Sequence, residues 1–315
     1  MKKLIALAIA VISICLSSCG GGGGQLTIGS TTLTTSVANL ALAVSGSSRV
    51  VTVTNNGTTI ASNLSLAISP ALPSGTTSVS TCTTALNPSS SCTVTITPGA
   101  TPTSAAGTAP VPSVLTFNSL TAGSATVKVE VLGLGNIYQG GYIFGIDDTT
   151  PSSSSISGTV MAQSDQSTGS TWNNGTFLVT SASSLTDGAT NSSTILAAQG
   201  PGTYAAEACS GVVDGFNDWY LPSICQMDGG SSGASCPASI PNIQMNLVTP
   251  GTISATGVGA GALSSPGFYW SSTEYSANPS AYSWYEYFNS GGGNASLTGI
   301  KSTSIAVRCV RTLTQ

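Results

Sequence analysis

The 315-residue sequence contains no histidine and little charge of either sign. It has seven Lys or Arg residues and eleven Asp or Glu residues, and charged residues make up 6% of the chain. The commonest general base of enzymes is therefore absent. The basic residues are also too few and too scattered for nucleic-acid binding, which depends on clustered Lys and Arg. We expect neither an enzyme nor a nucleic-acid-binding protein.

Long apolar runs are absent except at the start of the chain. Lys2 and Lys3 precede the apolar residues 4–16, a run too short to span a bilayer but typical of a signal-peptide core. The stretch LSSC, ending at Cys19, resembles the bacterial lipobox, which implies cleavage before Cys19 and lipid on its sulfur. An ordinary signal peptide that contains a cysteine is the alternative.

The start of the chain therefore predicts an exported protein, held by lipid on the bacterial outer membrane or cell surface. Residues 1–18 are the predicted signal peptide, and residues 19–25 are the lipidated cysteine with a flexible glycine tether. The membrane is thus the first predicted partner.

Cysteines that form a zinc pattern are absent too, since no Cys-x-x-Cys spacing occurs. Six cysteines remain after Cys19, and an even number in an exported chain indicates disulfides. Cys82 and Cys92 suit a local bridge across a short loop. The other four allow three pairings, and spacing alone does not choose among them: Cys209, Cys225, Cys236 and Cys309.

Residues 26–134 show alternating apolar and polar positions and no helical period. The stretch RVVTVTNNGTT (49–59) predicts a strand that turns at Asn56-Gly57 into a hairpin. Further strands are predicted at 63–69, 91–97, 113–117 and 124–133. Strands of this length and spacing predict a β-sandwich. The segment resembles the Ig-like modules of bacterial surface proteins, which implies a spacer.

Residues 136–315 have a different character, because all four tryptophans lie there. The pattern predicts a strand at 141–149 and a helix at 204–209. It also predicts a Gly/Ser-rich loop at roughly 229–267 and three terminal strands at 267–276, 281–299 and 302–313. A loop of that length is either functional or disordered.

Four motifs occur in order within this second segment: DWYLPS, YWSSTE, WYEYF and VRCVR. In this order they resemble the Lcl C-terminal-domain family, whose fold is related to C-type lectins. The resemblance implies a bridge between Cys209 and Cys309 and a small knuckle closed by Cys225 and Cys236. The predicted fold class is mainly β with an α+β C-terminal domain, an Ig-like β-sandwich followed by a C-type-lectin-like domain.

The aromatic residues of this domain divide into predicted core and predicted surface. Trp219, Leu221 and Trp270 are predicted core anchors, because a buried tryptophan with a bonded indole N–H is the common case. Five other aromatic residues predict a surface that stacks on neutral sugars or binds protein: Tyr269, Tyr275, Tyr282, Trp284 and Tyr285. Each of them is alternatively a half-buried residue of the sheet.

The turn DGFND supplies hard oxygen ligands of the kind calcium takes, from Asp214, Asn217 and Asp218. Capping of the turn by these short side chains is the favoured alternative. We therefore expect no cofactor, with calcium as the alternative. A glycosidase would need two facing carboxylates, and Asp214, Asp218, Glu274 and Glu286 are the acids at hand.

The sequence as a whole predicts a surface lipoprotein that is adhesin-like and binds a glycan or a host or envelope protein through its C-terminal domain. A structural envelope protein without a ligand is the alternative. Sulfated glycans suit the domain poorly, because its cations are limited to Lys301, Arg308 and Arg311.

Overall fold

The computed structural model describes residues 32–229 and 233–314. The predicted signal peptide, Cys19 and the glycine tether lie outside these residues. Within them the chain is mainly β, as predicted, and falls into an N-terminal and a C-terminal part. None of the described helices has the length and apolar character that a membrane crossing requires.

The N-terminal part is a two-layer β-sandwich of two four-stranded sheets. Strands are numbered along the chain. The first sheet has the order β1 (Leu33–Thr35), β3 (Arg49–Asn55), β8 (Ser91–Thr97), β6 (Thr77–Ser80). The second has the order β2 (Asn39–Ala43), β10 (Gly123–Leu132), β9 (Ser113–Ser119), β5 (Ser65–Ser69). The short strands β4 (Ala61–Ser62) and β7 (Ala85–Leu86) pair with each other.

Alternation in the sequence builds the core of this sandwich. Val51 and Val53 of β3 face Phe117 of β9 and Val127 and Val129 of β10, and all five are fully buried in one cluster. The hairpin predicted at Asn56-Gly57 is wrong, because β3 pairs with β1 and β8 and not with the strand that follows it. The Asn55 side chain accepts a hydrogen bond from Gly57 N, so this segment is a polar turn between the sheets.

The C-terminal part contains two sheets, joined by loops and short helices. The first has the order β11 (Ile137–Tyr138), β12 (Gly141–Asp147), β13 (Ser157–Ala162), β19 (Val310–Thr312). The second has the order β14 (Ser167–Ser170), β18 (Ile305–Val307), β15 (Phe268–Glu274), β16 (Tyr282–Tyr287), β17 (Ala295–Ile300). The last stretch of chain therefore forms five strands where three were predicted.

The main helix, α1 (Gly188–Gln199), lies upstream of the predicted one. Asp187 caps it by accepting a hydrogen bond from Thr190 N at 2.9 Å, and Gly200 ends it at a φ of 67°. The predicted helix at 204–209 is reduced to a single 3-10 turn, Glu207–Cys209. A second helix, α2 (Ile224–Met227), follows the DWYLPS motif.

The long Gly/Ser-rich segment after α2 is packed and partly regular wherever it is described. It contains a π-helical turn, Gln244–Val248. Its apolar residues Leu247, Val248 and Leu263 are fully buried in a cluster that also holds Phe144 of β12 and Tyr269 of β15. Much of this segment therefore packs against the two sheets and forms part of the C-terminal core.

Three disulfides cross-link the described chain: Cys82–Cys92, Cys209–Cys309 and Cys225–Cys236. These are the pairings expected above. Cys209–Cys309 ties the 3-10 turn to the residue between β18 and β19, across a separation of 100 residues.

The two parts of the chain share a continuous interface. The Arg49 side chain is fully buried at it and lies 2.5 Å from Asp148, while its Nη1 donates to the carbonyls of Thr150 and Pro151. Ala41 N donates to Ser155 Oγ, and Ile156 N donates to Ala41 O. These contacts fix the C-terminal part against β2 and β3.

Candidate ligand-binding site

A cleft of about 420 Å³ opens on one face of the larger C-terminal sheet. Four parts of the chain form it: residues 264–268 leading into β15, Tyr285 of β16 with Gly299 of β17, residues 303–306 leading into β18, and Thr168 of β14. Strand pairing brings these segments together, because β15 lies between β16 and β18.

Two aromatic side chains give this cleft its floor and wall. Phe268 is 36% exposed, and its ring centroid lies 5.8 Å from that of Tyr285 in an edge-to-face arrangement. Tyr285 in turn packs edge-to-face on the fully buried Trp270, at 5.9 Å. Gly299 of β17 leaves room for this contact, since an added Cβ there would lie 3.1 Å from both Trp270 and Tyr285. The aromatic surface is therefore fixed from below while one ring remains accessible.

The rim of the cleft is rich in hydroxyl groups and uncharged. The hydroxyl groups belong to Thr168, Ser264, Ser265, Thr303 and Ser304. None of the described lining residues carries a formal charge. A concave apolar floor with a few polar groups at its edge is the usual form of a small-ligand site. Such a surface suits an uncharged ligand with both apolar and hydroxyl faces.

A buried network below the cleft holds one side of this rim. Asp165 receives hydrogen bonds from Arg308 Nε at 2.5 Å, from Tyr269 Oη at 2.9 Å and from the hydroxyl of Ser264. Ser264 N also donates to Tyr269 Oη. Arg308 donates to the carbonyls of Gly261 and Ala262 in the same segment. Burial, together with the nearby Asp165 carboxylate, raises the pKa of Tyr269 to about 12, so its phenol stays protonated and able to donate.

The predicted aromatic surface is thus split between two sides of the sheet. Tyr285 lines the cleft. Tyr269 is fully buried and belongs to the core, which corrects the prediction that it lies at the surface. Trp284 is 9% exposed and packs at 5.3 Å against Tyr275, next to the Cys225–Cys236 bridge. Tyr282 is half-buried and does not line the cleft.

Phe268 lines the cleft but was not among the residues predicted for the aromatic surface. Strand alternation was the available signal, because Phe268 and Trp270 share one face of β15 while Tyr285 and Tyr287 lie opposite them on β16. Tyr287 lies 5.0 Å from Phe268, between ring centroids. The predicted core anchors are confirmed, since Leu221 and Trp270 are fully buried and Trp219 is 5% exposed.

The predicted calcium ligand Asp218 instead pairs with a cation of the chain itself. Its two oxygens accept hydrogen bonds from Arg311 at 2.6 and 2.9 Å, and these bonds hold the pKa of Asp218 below its usual range. Arg311 also stacks 4.0 Å from the ring centre of Phe216. Asp214 and Asn217 are exposed in the same turn. No group of three or more acidic or cysteine side chains suited to a metal occurs among the described residues. Within the turn, Asp218 is therefore held by Arg311.

The other cations of the C-terminal part are also buried in ion pairs. Lys301 lies 2.5 Å from Glu274 and 4.1 Å from the ring centre of Trp172, and Arg308 lies 2.5 Å from Asp165. Burial lowers the pKa of Lys301, and the Glu274 carboxylate opposes that shift. These side chains give an anionic ligand nothing to bind at the surface.

None of the four acids considered for glycosidase chemistry lines the cleft. Asp218 and Glu274 are ion-paired. Glu286 is fully buried on the opposite side of β16, where Ser296 Oγ donates to it at 2.9 Å. Burial first, and the nearby Asp228 second, raise the pKa of Glu286 to about 9.

Comparison with protein-family models finds a match in this part of the chain. Residues 161–311 match the Lcl C-terminal domain family. The matched segment contains the four motifs and all the described residues that line the cleft. The structural unit is longer, because β12 begins at Gly141 and pairs with β13 inside the match. The three disulfides also indicate that the chain folds in an oxidising compartment, as exported proteins do.

No curated protein matches the chain. Among solved structures, the secreted serine protease VesC from Vibrio cholerae aligns with 14% identity and a TM-score of 0.23. The alignment covers 40% of this chain and 32% of that one, so the chain spans about a third of that protein.

Proposed function

We propose that the chain is an exported surface lipoprotein whose C-terminal domain, with a C-type-lectin-like fold, binds an uncharged glycan in the Phe268–Tyr285 cleft. The observation that carries the proposal is the cleft itself, with accessible aromatic surface, a hydroxyl rim and no formal charge. Sugars offer apolar ring faces to aromatic side chains and hydroxyl groups to such a rim. A role in adhesion follows from this binding.

The remainder of the chain supports display of that cleft. Lipid on Cys19 would anchor the chain, the glycine run would act as a tether, and the Ig-like sandwich would act as a spacer. The buried Arg49 contacts support a fixed orientation of the cleft relative to the sandwich. A ligand would then meet a site held away from the membrane by a stiff body.

A structural envelope role without a ligand is the second candidate. The burial of Tyr269 and the packing of Trp284 on Tyr275 favour it, because these aromatics serve the core. It does not account for the exposure of Phe268 in the lining of a preformed cleft.

The test is a glycan and matrix-protein array probed with the purified chain from residue 26 onward, with calcium and with chelator. We expect binding to neutral glycans under both conditions, and its loss in Phe268→Ala. Phe177→Ala is the matched control, because Phe177 is also an exposed phenylalanine, at 50%, and does not line the cleft. Failure to bind any neutral glycan would leave the structural role as the better account. Binding only to proteins would move the proposal to a protein ligand.

A further inference from the structure

A second cavity of about 490 Å³ lies directly beside the cleft. Residues 166–171, which include β14, form one side, and residues 202–208 form the other. Ser304 lines both cavities. Thr168 of β14 lines the cleft, while its neighbours Ser167 and Gly169 line the second cavity. The two spaces are therefore separated by a single ridge, made of Gly169 and Ser304.

This ridge is low because one of its two residues has no side chain. Gly169 and Ser304 are both exposed, and an added Cβ on Gly169 would lie 2.7 Å from Ser304 Oγ. The φ of Gly169 lies outside the range that favours glycine, so the backbone does not require glycine here. A larger side chain at 169 would push against Ser304, which lines both cavities, and would obstruct a ligand that extends from one cavity to the other.

The chemistry of the second cavity continues that of the cleft and adds an acceptor. Its described lining carries the hydroxyl groups of Ser167 and Thr203 and one carboxylate, that of Glu207. A carboxylate accepts hydrogen bonds from sugar hydroxyls and repels anionic groups. The second cavity therefore also suits a neutral, hydroxyl-rich ligand.

We propose that the cleft and the second cavity are two subsites for one linear, uncharged oligosaccharide that crosses the Gly169–Ser304 ridge. The proposal rests on the proposed function and extends it from a single sugar to a chain. Aromatic contact with Phe268 would hold one part of the chain, and the hydroxyl groups and Glu207 would hold the other. A second subsite adds contacts without a second loss of translational freedom, so affinity rises with ligand length.

The test measures dissociation constants by calorimetry for maltose-, cellulose- and chitin-type oligomers, each from the monosaccharide to the hexasaccharide. For the series that binds, we expect affinity to rise at least about tenfold once the oligomer reaches both subsites, the change that one added set of good contacts provides. Gly169→Leu should remove that gain, and Glu207→Gln should reduce it. Glu207 lines only the second cavity, so Glu207→Gln should also leave binding of the shortest ligand unchanged. Gly211→Leu is the matched control, because an added Cβ at Gly211 meets nothing within 4 Å.

The possible results distinguish failure of the second subsite from failure of ligand binding in the cleft. Equal affinity for short and long oligomers, or a gain that survives Gly169→Leu, overturns the second subsite while cleft binding stands. Loss of the gain in Gly211→Leu as well would overturn the assignment to the ridge. Failure of every oligomer in all three series to bind overturns both proposals.

Discussion

The guanidinium of Arg308 lies 2.5 Å from the carboxylate of Asp165, and the two together fasten the segment that forms one rim of the cleft. Arg308 holds the carbonyls of Gly261 and Ala262, and Asp165 accepts the hydroxyl of Ser264. Both side chains of the pair are nearly buried, at 2% and 9% exposure. The rim is thus anchored from beneath by a pair that does not itself line the cleft.

We predict that Asp165→Asn loosens this rim and weakens ligand binding in the cleft. Arg308 would lose its charged partner in a buried position, which costs about 3 to 5 kcal/mol when such a pair is broken. Faster hydrogen exchange at residues 261–266 is the expected local effect, together with cleavage there by a broad-specificity protease.

Asp218→Asn is the matched control for that experiment. It breaks the Asp218–Arg311 pair, which lies at β19, and the Asp218 side chain is 45% exposed. Exchange at 261–266 should stay at the wild-type rate in this variant. Equal acceleration in both variants would mean that Asp165 acts on general stability and not on the rim.

The sequence predicted the elements whose signal is local. Alternation placed β3, β8, β9 and β10 correctly, because apolar residues at every second position face one core. Trp219 and Trp270 were predicted as anchors because a large side chain with one N–H finds a buried acceptor. Val213 O and Ser170 O are those acceptors.

What the sequence did not reveal depends on contacts between distant residues. Helix α1 has the sequence GATNSSTILAAQ, and its many Ser, Thr and Asn residues have low helix propensity. Tertiary contacts stabilise this helix, such as the hydrogen bond that Ser192 Oγ donates to Leu221 O. The ion pair of Asp218 with Arg311 spans 93 residues, so the DGFND turn alone could not distinguish it from a calcium site. The exposure of Phe268 could likewise not be predicted without knowing which face of β15 the neighbouring segments cover.

We predict that the Cys209–Cys309 bridge contributes more stability than the Cys82–Cys92 bridge. In the chain-entropy description, a loop of about 100 residues gives about 4.7 kcal/mol, whereas a loop near ten residues gives less than about 3 kcal/mol. The separations here are 100 and 10 residues. Urea unfolding of the Cys209→Ala/Cys309→Ala and Cys82→Ala/Cys92→Ala chains measures the two losses. Equal losses would show that residual structure in the unfolded chain, and not loop length, sets the effect.

We predict that Arg49→Met uncouples the two parts of the chain. The substitution keeps an unbranched side chain but removes the Arg49 donors to the carbonyls of Thr150 and Pro151 and to Oδ1 of Asp148. Loss of hydrogen bonds to a charged group costs about 1.5 to 3 kcal/mol each. Calorimetry should show one thermal transition in the wild type and two in the variant.

The matched control for Arg49→Met is Lys128→Met, which removes an exposed cation from β10 of the same sandwich. It should retain the single transition. A single transition in Arg49→Met, shifted to lower temperature, would contradict uncoupling and would show that the backbone contacts at Ala41 and Ile156 suffice to join the two parts.

We predict that Glu286 makes the C-terminal part less stable as pH rises. Its pKa is raised from 4.5 to about 9 in the folded protein, chiefly by burial. Between these values the unfolded chain has released a proton that the folded chain retains, so stability is full below about pH 4.5 and declines as pH approaches 9. At pH 7 the retained proton costs roughly 3 kcal/mol.

Glu286→Gln tests this directly, because glutamine keeps the shape and the acceptor for Ser296 Oγ but does not titrate. The variant should melt at a higher temperature than the wild type at about pH 8 and at a similar temperature at about pH 4. Glu207→Gln, at a half-buried position outside the core, is the control and should follow the wild-type curve. If Glu286→Gln and the wild type lose stability in parallel as pH rises, the buried carboxyl is not the source of the dependence, because the one group that differs between them would have had no effect.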